Sequence, residues 1–285
     1  MAQIVTAPAI RAGKGGTPLV MVTAYDAPTA RIADDAGVDV ILVGDSVAMV
    51  VLGYEDTLQV TVADMAYHVS AVARARPRAM IVADLPWLSY HLSTDEAVRN
   101  AAVLIRAGAA AVKLEGGQTR IPVVQALVDA QIPVMGHLGL TPQSVHALGG
   151  YRVQGQQVDA AKAVLDDARA LAGAGCFAIV LECVPREVAR LVTQEVPVPT
   201  IGIGAGPDCD GQVLVLHDLL GLEDRIVPKF VRRYGAVKVD AVAAVAAYAA
   251  DVRARAFPSD AESYHLADDV AAALGVDHAA SSRTA

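Results

Sequence analysis

Short apolar runs alternate along the chain with stretches of helical spacing. LVMVTAYD at 19–26 reads as a first strand and VDVILVGDS at 38–46 as a second, with the Ala-rich 29–36 as the returning helix of a βαβ unit. In Val40-Ile41-Leu42-Val43 the unbroken apolar run fits a strand buried on both faces. Gly44 then lets the backbone turn, so that Asp45 and Ser46 stand at the strand's C-terminal mouth. The design recurs in AMIVADLP ending at Asp84, AAVKLEGG with Lys113 and Glu115, PVMGHLGL with His137, AIVLECVP ending at Glu182, and PTIGIGAG. The segment 225–230 is the candidate for an eighth strand.

Helical signals fill the gaps. Val62, Met65, Ala66, Val69 and Val72 share one helical face. Ser93 and Glu96 have capping-box spacing for a helix reaching about Ala107. A helix follows at 121–130, Asp159 is placed to cap one ending near Gly173, and Pro185 suits the first turn of another whose core face is Val188, Leu191 and Val192. Strands alternating with helices eight times predict an α/β fold of the (β/α)8 TIM barrel type, rather than an open sheet, over residues 1–256. Residues 257–285 are expected to form a C-terminal helical extension and tail. Helices are expected at 238–255 and 259–274, and disorder over 277–285. Two connections are long enough to wall a site: one after Ser46 through Gly53, Tyr54 and Thr57, the other at 141–157 with Ser144, Tyr151 and Arg152.

Composition narrows the class. A chain of 285 residues, 54% hydrophobic, can bury one large core, so length does not force a second domain. A net charge of -8 with no basic block argues against a nucleic-acid partner. Cys176, Cys183 and Cys209 lack disulfide-framework or zinc spacing, which fits a reducing, cytoplasmic setting. No basic region followed by an apolar stretch opens the chain, so no signal peptide is expected. The segment 241–250 lies between Asp240 and Asp251 and falls short of the roughly 20 apolar residues of a membrane span. It reads as a buried or interface helix.

The acids at the strand ends carry the chemistry. Buried carboxylates are costly unless paired, hydrogen-bonded or bound to metal. Asp45, Asp84 and Glu115 around one point suit a hard octahedral ion such as Mg²⁺; the alternative is that each caps a helix. Lys113, two residues before Glu115, shares its side of the strand and fits either an anionic substrate or a neutralising salt bridge. His137 is either a core histidine or part of the site. Glu182 faces the trio across the mouth, where a general base separate from a metal would stand, or a structural ion pair. GIGAGP at 202–207 has Pro207 where a dinucleotide loop needs glycine. Phosphate-loop and serine-hydrolase motifs find no match.

TAYD at 23–26, LVGDS at 42–46, VVLGY at 50–54, VKLEGG at 112–117, GHLGLTPQS at 136–144, GGYRVQG at 149–155, LECVP at 181–185 and IGIGAGPDCDGQ at 201–212 occur in this order. Together they closely resemble the ketopantoate hydroxymethyltransferase family, over about residues 10–234. The resemblance implies a Mg²⁺-dependent barrel enzyme of pantothenate synthesis. It would move a one-carbon unit from 5,10-methylenetetrahydrofolate to 3-methyl-2-oxobutanoate and assemble as a homodecamer of pentameric rings. By position it makes Asp45 and Asp84 metal ligands, with Glu115 near the metal through water. It makes Asp45, Ser46, Asp84, Lys113 and His137 the substrate-binding set, and Glu182 the proton acceptor. Gln59 in TLQV and Trp87 in LPWLSY depart from the family pattern without touching these positions. Two other readings stand beside it: a Mg²⁺-dependent lyase or aldolase that needs no folate, and a catalytically silent ring-forming scaffold.

Overall fold

Successive side chains of a strand point to opposite faces, and here that alternation sorts the residues into two apolar layers. The computed structural model describes residues 4–223, 225 and 227–276. Eight parallel strands close into a barrel in chain order: β1 Leu19–Thr23, β2 Val40–Val43, β3 Met80–Asp84, β4 Ala111–Glu115, β5 Val134–Gly139, β6 Ala178–Glu182, β7 Thr200–Ile203 and β8 Gly211–Leu214. Met21, Val40, Leu42, Val82, Met135, Val180, Ile201 and Val213 form the inner layer. The residues between them, among them Ile41, Ala83, Leu114, Ile179 and Leu181, pack outward against the helices. The (β/α)8 barrel expected from the pattern is the fold.

The ends of the barrel differ. Ala7 and Ile10, on the short helix Ala7–Ala12, join the inner cluster. The Val5 N–H donates to the Arg78 carbonyl just ahead of β3, which sets this segment at the strands' N-terminal end. The closing seam is tight: Gly211 pairs with Leu19 of β1 and Ile201 of β7, and a Cβ there would meet the Leu19 carbonyl oxygen at 2.6 Å. At the other end each strand runs into a loop, and the register sets the site. Asp84 is level with Lys113, Glu115 with His137, and Gly139 with Glu182.

The surrounding helices follow their sequence signals. Thr94–Ala107 begins at Ser93, whose Oγ accepts the Glu96 N–H at 3.1 Å, half of the expected box. Such a cap contributes about 1 kcal/mol. Ala97, Ala101 and Leu104 are buried along one face, and burial of a leucine side chain contributes ~1.5–3 kcal/mol. Packing therefore holds the helix, and the cap fixes where it starts. Val62–Ala73 buries Met65, Val69 and Val72 behind a complete box between Thr61 and Asp64.

Several expectations need correction. The eighth strand is Gly211–Leu214, and the described residues of 225–230 are turn and coil; Pro228 there has no N–H to give a ladder. Asp159 lies inside the first turn of Val158–Gly173, whose N-cap is Gln157 with no side-chain bond. On Arg186–Glu195 the core face is Val188, Ala189 and Val192; Leu191 is exposed. The segment 259–274 forms only the turn Asp260–Glu262, with the Ser259–Glu262 box, and the helix Asp268–Leu274. The expected disorder over 277–285 lies outside the described residues.

The chain divides into two compact units, residues 1–235 and 236–285, ahead of the sequence-drawn boundary at 256. The first holds the barrel. In the second, the helix Val237–Arg253 has no buried residue, and Tyr248 meets Phe257 edge to face at 5.4 Å between ring centres. Among the described residues no helix is long and apolar enough to cross a membrane.

Candidate active site

The acids that the sequence put at four strand ends meet at the C-terminal mouth of the barrel, as their strand positions require. Asp45, Asp84, Lys113, Glu115 and His137 are all buried; Ser46 and Glu182 are half-buried. Asp84 Oδ2 accepts the Asp45 backbone N–H at 3.0 Å. Its Oδ1 lies 2.9 Å from Lys113 Nζ, an ion pair without hydrogen-bond angles, so that buried oxygen keeps acceptor capacity. His137 stands between two carboxylates: Nδ1 is 3.3 Å from Glu115 Oε1 and Nε2 is 3.2 Å from Glu182 Oε2.

Three residues with no role assigned from sequence complete the cluster. Gln143 Nε2 donates to Asp45 Oδ2 at 2.8 Å and to the Leu85 carbonyl at 3.0 Å, and its backbone N–H donates to Glu115 Oε2 at 3.1 Å. Tyr90 Oη donates to Gln143 Oε1 at 2.7 Å and accepts the Glu115 N–H at 3.1 Å. Tyr25 Oη lies 2.9 Å from Ser46 Oγ and fixes that hydroxyl. Gln143 falls just past a strand end in TPQS, and its burial requires the full set of bonds it makes.

Electrostatics follow from crowding. Burial, then Asp84 and Glu115, push Asp45 well above the ordinary carboxylate range. Burial alone would lower Lys113, but Asp84, Glu115 and Asp45 outweigh it and raise the ammonium. Burial and the nearby Lys113 also work against a charged His137. Its contacts with Glu115 and Glu182 overcome both and raise it to about 9.

The donor chemistry bears on a metal. Among the described residues no three His, Cys, Asp or Glu side chains converge as ligands, because Glu115 is turned toward His137 and the Gln143 N–H. Asp45 and Asp84 remain as a hard-oxygen pair, one with a raised pKa and one whose buried Oδ1 is ion-paired with Lys113 but makes no hydrogen bond. Mg²⁺ needs no more from a protein, since it binds through one or two carboxylates and keeps water or substrate oxygens for the rest. The pair fits the ion.

A closed parallel barrel with buried acids, a lysine and a histidine gathered at its C-terminal mouth defines an enzyme of the (β/α)8 class. The ketopantoate hydroxymethyltransferase profile matches residues 4–260. The chain is 57% identical over 274 residues to the 3-methyl-2-oxobutanoate hydroxymethyltransferase of Methylobacterium sp. (strain 4-46), covering 94% of each chain. It is 57% identical over 262 residues to that of Moorella thermoacetica, covering 91% of this chain and 97% of the other. In fold it is similar to phosphonopyruvate hydrolase, with a TM-score of 0.60, 13% identity and 95% of each chain covered. The chain belongs to the ketopantoate hydroxymethyltransferase family.

Proposed function

We propose that the chain transfers a hydroxymethyl group from 5,10-methylenetetrahydrofolate to 3-methyl-2-oxobutanoate, giving ketopantoate for pantothenate synthesis. The names of its relatives support the activity. The observation that carries the mechanism is the position of Glu182, half-exposed at the mouth with its carboxylate 3.2 Å from His137 Nε2, across from the Asp45, Asp84 and Lys113 group. Asp45 and Asp84 would hold Mg²⁺, with Glu115 behind a water. When bound, the ion polarises the 2-oxo group and favours negative charge on its oxygen.

The chain's own residues do the rest. Ser46, fixed by Tyr25, and Lys113 bind and orient the anionic oxo acid, with His137 closing the wall behind it. Glu182 takes the proton from C3, and the electron pair left behind makes the enolate. Water adds to the donor's methylene carbon and both of its carbon–nitrogen bonds break, which releases tetrahydrofolate and leaves the carbon at the formaldehyde level. C3 bonds to that carbon, and its carbonyl oxygen takes up the proton that Glu182 removed and becomes the hydroxyl. The Glu182 carboxylate has its Oε2 3.2 Å from His137 Nε2, which places it at the mouth for that transfer. Three free thiols fit a cytoplasmic setting for this chemistry.

Replacing Glu182 by Gln keeps the shape and removes the base. The expected result is unchanged oxo-acid binding with C3 deuterium exchange slowed by about 10²–10⁴. Exchange at the wild-type rate would reject Glu182 as the proton acceptor.

A further inference from the structure

The residue after Glu182 holds a backbone conformation that side chains other than glycine rarely adopt. Cys183 has φ +48°, in the left-handed region, at the C-terminal end of β6. Asparagine and glycine are favoured there, and a β-branched residue is strained. Non-glycine residues persist in that region only where the surroundings over-determine them, and they cluster at functional sites. The surroundings here do so. The Cys183 N–H donates to the Ile203 carbonyl at 2.9 Å, the Gln154 N–H donates to the Cys183 carbonyl at 2.9 Å, and the Leu140 N–H donates to the Glu182 carbonyl at 2.8 Å. The neighbouring strand leaves no slack, because a Cβ on Gly139, at φ +92°, would sit 2.1 Å from the Glu182 carbonyl oxygen.

The consequence lies in where the strand ends. Ala178, Val180 and Glu182 point into the barrel, while Ile179 and Leu181 point out. A left-handed residue directly after Glu182 stops the strand there and turns the chain toward the helix Arg186–Glu195. Glu182 thus stays in register between Gly139 and Ile203, with its carboxylate 3.2 Å from His137 Nε2. An extended residue at 183 would carry the chain past the rim and misalign the bonds to Ile203 and Gln154. The thiol itself has little to offer as a reactive group, since burial and Glu182 raise it to about 11.

We propose that Cys183 is a positioning residue: its left-handed backbone, pinned from both neighbouring strands and from the 141–157 loop, aims the Glu182 carboxylate at the reacting carbon. This rests on the reading of Glu182 as proton acceptor. A displacement of about 1 Å at such a group can cost 10²-fold in rate.

The test uses the whole chain with Mg²⁺ and C3-deuterated 3-methyl-2-oxobutanoate, comparing Cys183→Val, Cys183→Ala, Cys183→Asn and Cys183→Gly. Valine disfavours positive φ most, alanine less, and asparagine and glycine accept it. The expected order of exchange rates is Asn and Gly near wild type, Ala lower, and Val lower by about 10²-fold, with KM for the oxo acid unchanged in all four. If the valine variant does not fold, as judged by circular dichroism, the Asn-to-Ala comparison decides, with Asn expected to be the faster. Val and Ala exchanging at the wild-type rate would overturn the proposal. So would Asn and Gly falling as far as Val, which would assign the effect to the thiol. A wild-type protein that exchanges no C3 proton would instead overturn the reading of Glu182.

Discussion

Asp45 carries the cost of this site most plainly. Burial and the carboxylates of Asp84 and Glu115 raise its pKa, and a divalent cation between Asp45 and Asp84 would relieve that repulsion. Asp84→Ala is therefore expected to weaken Mg²⁺ binding by at least about tenfold, a loss of ~1.4 kcal/mol measurable by titration calorimetry. Unchanged affinity would remove Asp84 from the metal site. At this scale the sequence was readable wherever an acid ended an apolar run, because strand alternation and mouth placement dictate where such a side chain goes; Asp45, Asp84, Glu115 and Glu182 were all found that way. Tyr25, Tyr90 and Gln143 were not. Their roles depend on hydrogen bonds between loops far apart in sequence, such as Gln143 to Asp45, and no local spacing encodes them.

Elements at the closed end of the barrel serve stability rather than chemistry. Lys14 Nζ, in the segment after the first helix, lies 2.8 Å from Asp210 Oδ2, and Asp210 also accepts the Gly15 and Thr200 N–H groups at 2.9 Å and 2.8 Å. Burial would raise Asp210, but the bonds from Lys14, Thr200 and Gly15 prevail and lower it below its ordinary 3.8. A depressed folded-state pKa gives stability that is full above about 3.8 and lost as pH falls through the lower folded value. Asp210→Asn should lower unfolding stability by about 1.5–3 kcal/mol at pH 7. The gap to wild type should narrow in acid, as read from urea unfolding at pH 7 and pH 3; a gap that widened would contradict the assignment. The same region explains the misplaced eighth strand. GQVL is short and half polar, and its place is fixed by pairing with β1 and β7, whereas RIVPKF looked more apolar but its described residues are turn and coil.

For the whole molecule, strand count and order were legible because eight apolar runs alternating with amphipathic helices have few ways to bury both sheet faces, and a closed barrel is the simplest. The final 50 residues were harder to read, since their helices lack a one-sided apolar face; Val239, Val242 and Val245 are exposed on Val237–Arg253. The family resemblance alone carries the expectation of a homodecamer; light scattering that returned the mass of a single 29.5 kDa chain would exclude it. The most direct test of the central claim is turnover itself, with the protein, Mg²⁺, 3-methyl-2-oxobutanoate and 5,10-methylenetetrahydrofolate mixed and the products read by mass spectrometry. Ketopantoate is expected only when both substrates are present; cleavage of the oxo acid without the folate, or no product with both, would rule out the proposed transfer.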